Sequence, residues 1–279
     1  MDTSFSGFEE RYVRAGGFVT RYLEAGDRDA QPVLLLHDGA WGGCSSVSWG
    51  AMIQPLAENY RVLAPDMLGF GGTDKVVFLD RSTYQFRLVH LAEFLSTLNV
   101  TDSVRIIGSS YGGSTALRSL VQPSPLRVHC VVSISGTGGA WRTDLFRDQL
   151  GRWDGSEEDL MRVVNLLTDE FPGIDGHFQE RLFWARKIGH YRAMKAPTAE
   201  LPSELRPQID DPWPTQLIGC KTPVMLVKGE RDELLESDWA DHIKGAIPHA
   251  QIVTLDCKHS PNLELPKTLL SLVEAFMKD

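Results

Sequence analysis

The chain reads as an α/β protein, with a mostly parallel central sheet, helices on both faces and a helical lid inserted late in the sheet. Three observations predict this. Compact apolar runs such as PVLLLHDG, SVRIIG, VHCVVSISG and PVMLVKG have the composition of strands covered on both sides. Segments with helical spacing alternate with them, the arrangement that builds parallel crossover units. Over residues 137–220 the strand pattern stops and charged helical segments take its place.

The elements follow in chain order. ERYVRAG and GFVTRYLEAG form a short antiparallel ribbon joined at Gly16-Gly17. PVLLLHDG is a buried central strand, and a short helix is expected over residues 50–58. YRVLAPD is the next strand and ends in the glycine-rich loop MLGFGGTD. Leu88, Leu91, Leu95 and Leu98 recur at helical spacing and predict a helix over 84–98. SVRIIG is a strand, a helix begins near Tyr111, and VHCVVSISG is again a strand. SEEDLMRVVNLLTDEF and HFQERLFWARKIGHYRAM are the lid helices, followed by a proline-bearing linker up to Pro214. PVMLVKG and AQIVTLD restore the sheet, and KTLLSLVEAFMK closes the chain as a helix. The expected organisation is a core from residues 1–136 and 221–279, with 137–220 as the inserted lid.

Composition narrows the function. The 279 residues contain 42% hydrophobic and 23% charged side chains, enough to bury a substantial core. Lys plus Arg number 28 against 37 Asp plus Glu, a formal net charge of −9. That balance disfavours partnership with nucleic acid or an anionic membrane and leaves a small organic substrate, which a locally basic pocket can hold even if anionic. No apolar run approaches the roughly 20 residues of a membrane span, and MDTSFSGFEERYVRAGG has no basic-then-apolar leader, so a cytoplasmic protein is expected. The four cysteines are widely spaced and contain no CxxC pair, so no disulfide framework or metal site is expected. Cys130 reads as a core filler. Cys257, two residues before a histidine, is either a packing residue or a reactive thiol.

The chemistry concentrates in a few places. Gly108-Ser109-Ser110-Tyr111-Gly112-Gly113 fits G-x-S-x-G after a strand and before a helix, a turn that presents the hydroxyl of Ser110 above the sheet edge. A serine hydroxyl needs a base to take its proton. His259, after the last strand, is the candidate base, and Asp232, after the preceding strand, is the candidate acid that orients it. Glu230 and Glu233 compete for the acid role. The structural alternatives are a glycine-rich helix entrance around Ser110, a helix cap at His259 and a surface ion pair at Asp232. The backbone N–H groups of Gly39 and Tyr111 are the expected oxyanion donors. His37 precedes that loop and reads as structural, while Gly42 and Gly43 either shape a pocket or relieve a crowded turn. No Walker pattern or convincing G-x-G-x-x-G unit is present, so no nucleotide cofactor is expected.

LLLHDGAWGG, Trp49, YRVLAPDMLGFGGTD and the SSYGG elbow together resemble the α/β-hydrolase superfamily across residues 32–136 and 223–277. Within it they are similar to the meta-cleavage-product hydrolases, which cleave a carbon–carbon bond in vinylogous 1,5-diketones from aromatic-ring degradation. The resemblance implies an α/β-hydrolase fold with a helical lid, no cofactor, and a homodimer or higher homo-oligomer. It also implies that a lid arginine binds the substrate carboxylate. Arg181 is the matching position, with Arg186 a poorer one, and a guanidinium holds a carboxylate bidentately. Phe183 and Trp184 are lid core or pocket wall. By the same correspondence Ser48, Trp49, Ser109, Trp184 and Ser260 are pocket residues.

The chain departs from that pattern in the pocket. His37-Asp38 and Ala40-Trp41-Gly42 stand where the family has His-Gly and Gly-Pro-Gly. Ser109 and Ser48 replace asparagines, and Ser260 replaces a tryptophan. The changes remove amides that bind the substrate's enol and oxo oxygens. Two chemistries therefore remain open, carbon–carbon hydrolysis and acyl-enzyme cleavage of an ester or lactone. A non-catalytic ligand-binding protein on the same fold is the third reading.

Overall fold

The structure is a computed structural model that describes residues 7–198 and 210–278. Eight strands form one sheet: β1 (Glu9–Ala15), β2 (Phe18–Ala25), β3 (Pro32–Leu36), β4 (Arg61–Pro65), β5 (Val104–Ser109), β6 (Val128–Ile134), β7 (Val224–Gly229) and β8 (Gln251–Leu255). Their spatial order is β1-β2-β4-β3-β5-β6-β7-β8. β1 and β2 are antiparallel, β2 meets β4 antiparallel, and every later pairing is parallel. The first two strands are the expected ribbon, with Ala15 opposite Phe18. Gly16 and Gly17 both have positive φ, which a two-residue hairpin loop of this hand requires.

Side chains alternate between the two faces of the sheet. Leu34, Leu36 and Ile106 pack with Leu91, Phe94, Leu117, Trp239 and Ile243 on one face. These last five lie on α2 (Thr83–Thr97), α3 (Tyr111–Arg118) and, in the case of Trp239 and Ile243, α7 (Trp239–Ala246). Val33, Leu35 and Ile107 point to the other face, against α1 (Ser45–Leu56) and α9 (Pro266–Lys278). Because β3 and β5 are buried on both sides, they are apolar at nearly every position, the feature legible in PVLLL and VRII.

Two elements differ from the sequence reading. The helix expected over 50–58 is α1 and begins five residues earlier, where Asp66 Oδ1 accepts from the Ser45 N–H at 2.8 Å. That cap comes from the loop after β4, so no local pattern announces it. The helix α7, between β7 and β8, was not in the sequence reading. It is short and carries Gly245, which weakens its helical signal.

Between β6 and β7 lie α4 (Glu157–Leu167), α5 (Ile174–Ala185) and α6 (His190–Lys195). Ser156 caps α4 by accepting from the Asp159 N–H at 3.1 Å. Leu160, Val163, Val164 and Leu167 of α4 pack with Phe178 and Leu182 of α5 around Trp41, from the loop after β3. The lid is thus seated on the same loop that carries Gly39. No helix among the described residues is long and apolar enough to cross a membrane.

Candidate active site

The turn from β5 into α3 is tightly packed against its neighbours. Ser110 has φ +54 and ψ −110, a costly backbone for a residue with a Cβ. Its N–H donates to Ile134 O at 2.7 Å, fastening the turn to the end of β6. A Cβ on Gly108 would lie 2.2 Å from Gly112 O, and one on Gly112 would lie 2.1 Å from Leu36 O. Neither position tolerates a side chain, which is why the glycines flank the serine at this spacing.

His259 sits after β8, fully buried, with Nε2 2.8 Å from Ser110 Oγ. Its Nδ1 is 2.8 Å from Asp232 Oδ2, while Asp232 Oδ1 accepts from the Leu234 N–H at 2.9 Å. Both carboxylate oxygens are therefore committed, and the imidazole is fixed with its proton on Nδ1 and its lone pair toward the serine. The loops bearing the two groups are fused: Glu230 N–H donates to Leu255 O at 2.8 Å and Arg231 N–H to Cys257 O at 3.0 Å. Glu230 and Glu233 are exposed and outside this line. Burial pushes the Cys257 thiol up to about 12, so this cysteine is a packing residue beside the site.

Gly39 lies against Tyr111, with a built Cβ only 2.6 Å from Tyr111 Cβ. Among the described residues neither amide N–H donates to a protein acceptor, and both residues line the cavity beside Ser110. His37 is structural: Met67 N–H donates to its Nε2 at 2.9 Å and its Nδ1 lies 2.6 Å from Asp38 O. Burial lowers its pKa, consistent with a neutral ring in that geometry.

The other expected pocket residues are placed elsewhere. Arg181 is fully buried and faces Asp38, with Nη2 to Oδ2 at 2.9 Å and Nη1 to Oδ1 at 3.2 Å. It does not line the cavity, because its guanidinium is held by the Asp38 carboxylate. Ser48 Oγ donates to Asp38 Oδ2 at 2.8 Å, completing the pair. Burial would raise the Asp38 carboxyl, but the Arg181 charge overrides it and holds the group below the ordinary carboxylate range. Trp49 lies in the core under the sheet, on the α1 face that it shares with Met52, Ile53 and Leu56. Ser109 Oγ donates to Asn262 Oδ1 at 3.1 Å, on the side of β5 away from the cavity. Trp184 packs on Cys44 and Val47 beneath the Arg21 guanidinium. Ser260 is buried at the start of α8 (Pro261–Glu264) and does not line the cavity.

What the sequence reading missed are cavity residues after β6 and on α2, chiefly Ser135, Arg142, Tyr84 and Arg87. Ser135 has φ +46, and its buried hydroxyl has no hydrogen-bond partner among the described residues. The available signal was topological: ligands bind outside the carboxyl ends of parallel strands, where residues 135–142 had to lie.

A strained serine at a strand-to-helix turn, a buried histidine and an anchored aspartate define a serine hydrolase site on an α/β sheet. The chain belongs to the alpha/beta hydrolase family, whose model matches residues 33–272. It is 31% identical to the 2-hydroxy-6-oxo-6-(2'-aminophenyl)hexa-2,4-dienoic acid hydrolase of Metapseudomonas resinovorans, over 99% of this chain and 93% of that one. It is 28% identical to the 2-hydroxy-6-oxo-2,4-heptadienoate hydrolase of Pseudomonas putida, over 96% and 95% of the two chains. Among solved structures, a serine hydrolase involved in carbazole degradation superposes with a TM-score of 0.79 at 29% identity, covering 97% of this chain and 99% of the other.

Proposed function

We propose that the chain hydrolyses a carbon–carbon bond in a 2-hydroxy-6-oxo-dienoate from aromatic-compound degradation. The observation that carries this is the Ser110–His259–Asp232 line opening on a cavity of about 480 Å³, within the size range of small-molecule sites. The relatives reported above act on substrates of that type and match the chain along nearly its whole length.

In this reading the dienol first shifts to its keto tautomer, its hydroxyl proton being replaced by one on C5. Ser110 then adds to the C6 carbonyl while His259 takes the Oγ proton. The amides of Gly39 and Tyr111 hold the oxyanion. The C5–C6 bond breaks, its electron pair passes into the 2-oxo-enoate, and His259 protonates the resulting enolate oxygen. Water, deprotonated by His259, releases the acyl group and frees Ser110. Each step uses only these side chains and water. The helices α4, α5 and α6 act as the lid that excludes bulk solvent.

One observation favours a second reading, acyl-enzyme cleavage of an ester or lactone. The arginine expected to hold a dienoate carboxylate is neutralised by Asp38, and Ser48 and Ser109 are turned away from the cavity. Time-resolved absorbance of wild-type and Ser110→Ala protein with a 2-hydroxy-6-oxo-dienoate, beside aryl esters, separates the two. Loss of the dienoate chromophore with formation of both fission products by wild type alone supports carbon–carbon hydrolysis. Ester turnover with an inert dienoate makes the protein an esterase.

A further inference from the structure

Four charged side chains line the cavity among the described residues: Arg87, Arg118, Arg142 and Asp211. In a chain of net charge −9, this wall carries three cations and one anion. Their commitments differ. Arg118 is neutralised, because both terminal nitrogens face Asp211, one at 2.7 Å, and its Nε donates to Gly138 O at 2.8 Å. Arg87 is spent on structure: Nε donates to Leu68 O at 2.9 Å, and Nη1 donates to Tyr111 Oη at 2.8 Å and to Thr83.

Arg142 is different. Among the described residues it has neither a carboxylate partner, as Arg118 has, nor a set of short structural bonds, as Arg87 has, and its one side-chain hydrogen bond is a long one, Nη2 to Tyr84 Oη at 3.4 Å. Its apolar contact is Phe146, whose ring centre lies 4.6 Å from the guanidinium carbon. The backbone beneath it is fixed. Arg142 forms an antiparallel bridge with Leu235, Thr143 N–H donates to Leu234 O at 3.0 Å, and Glu236 N–H donates to Trp141 O at 3.0 Å. Residues 234–236 continue the loop that holds Asp232, so Arg142 is anchored to the same segment as the triad acid. Tyr84 in turn stacks on Tyr111 at 5.2 Å, next to Ser110. A half-buried guanidinium with open donors, placed on the wall of a ligand cavity, attracts an anion more strongly than one in bulk water.

We propose that Arg142, with the Tyr84 hydroxyl beside it, binds the carboxylate of the substrate and replaces Arg181 in that role. The site thus selects extended carboxylates whose reactive carbonyl reaches Ser110 along the Tyr84 and Tyr111 rings. The assignment of a dienoate as that carboxylate rests on the function proposed above; the anion site itself does not.

The test compares wild-type, Arg142→Met and Arg142→Lys proteins on a 2-hydroxy-6-oxo-dienoate and on two p-nitrophenyl esters, one neutral (butyrate) and one carboxylated (glutarate). Arg142→Met is expected to raise KM for the anionic substrates about 10–100-fold, with kcat little changed and the neutral ester unaffected. Arg142→Lys restores part of the loss, because the charge returns without the planar fork. An unchanged KM for both anions, or an equal loss on the neutral ester, overturns the proposal. If wild type leaves the dienoate intact but the glutarate ester still depends on Arg142, carbon–carbon hydrolysis fails and the anion site stands. If the dienoate is cleaved and Arg142→Met is indifferent, the anion site fails and the reaction stands.

Discussion

Asp38 stands on the loop after β3, and its carboxylate accepts from Ser48 Oγ, the Ala40 N–H and both terminal nitrogens of Arg181. A buried ion pair of this kind costs desolvation that its own hydrogen bonds offset, and removing one partner strands the other charge. Arg181→Met is therefore expected to destabilise the fold by about 3–5 kcal/mol, measured by urea unfolding. The double variant Asp38→Asn/Arg181→Met loses less than the sum of the singles. An Arg181 variant whose stability is intact but whose KM for anions rises would return that residue to the pocket. Ser135 supplies the opposite case. Its hydroxyl makes no hydrogen bond among the described residues, so Ser135→Ala is expected to leave the melting temperature unchanged while raising KM about 3–10-fold through a lost contact to ligand. An unaltered KM would mean the hydroxyl is idle.

At the scale of elements, the nucleophile turn and the lid depend on close approach. Gly112→Ala places a methyl 2.1 Å from Leu36 O, a backbone atom that cannot swing aside, so α3 must move off β3. The expected cost is about 1–3 kcal/mol, together with loss of turnover from a displaced Ser110, seen by thermal unfolding and ester kinetics side by side. Trp41 joins the loop after β3 to α4 and α5, and it is almost wholly buried. Trp41→Ala is expected to cost about 3–5 kcal/mol and to expose the lid helices to protease before the sheet. Simultaneous cleavage of lid and core would show that the lid has no separate stability. Element identity was largely legible: period and apolarity located every strand. Boundaries set by distant groups were not, as the capping of α1 by Asp66 shows, and the pocket roles that the family resemblance implied for Ser48 and Trp49 gave way to a bond to Asp38 and a place in the core.

For the whole molecule, the decisive charges are those on buried histidines. Met67 N–H donates to His37 Nε2, Gly42 N–H to His190 Nε2 and Arg181 Nε to His177 Nε2, so all three rings are neutral in the fold. Burial lowers the pKa of each, to about 4 for His190 and about 3 for His177, and it lowers His90 to about 4. The unfolded chain takes up these protons near pH 6.5, whereas the native chain does not. Unfolding is thus favoured by proton uptake, and stability falls as pH drops from about 6.5 toward 4. Each such ring contributes up to about 1.4 kcal/mol per pH unit in that window. Calorimetry at pH 7.5, 6 and 5 should show a falling melting temperature, and a flat profile would contradict neutral buried rings.

The sequence by itself determined the class of sheet, the inserted helices and the order of serine, aspartate and histidine, because these are written in local period and in small residues at a forced turn. Only the tertiary structure decided which polar residues face the ligand. Side-chain direction there depends on partners far along the chain. Arg181 is drawn to Asp38 from 143 positions away, Ser109 to Asn262 from 153, and Arg142 is held over the cavity by the loop at 234–236. A one-dimensional pattern records that a guanidinium exists, but the carboxylate that satisfies it, or leaves it open, is fixed only when the sheet brings distant loops together.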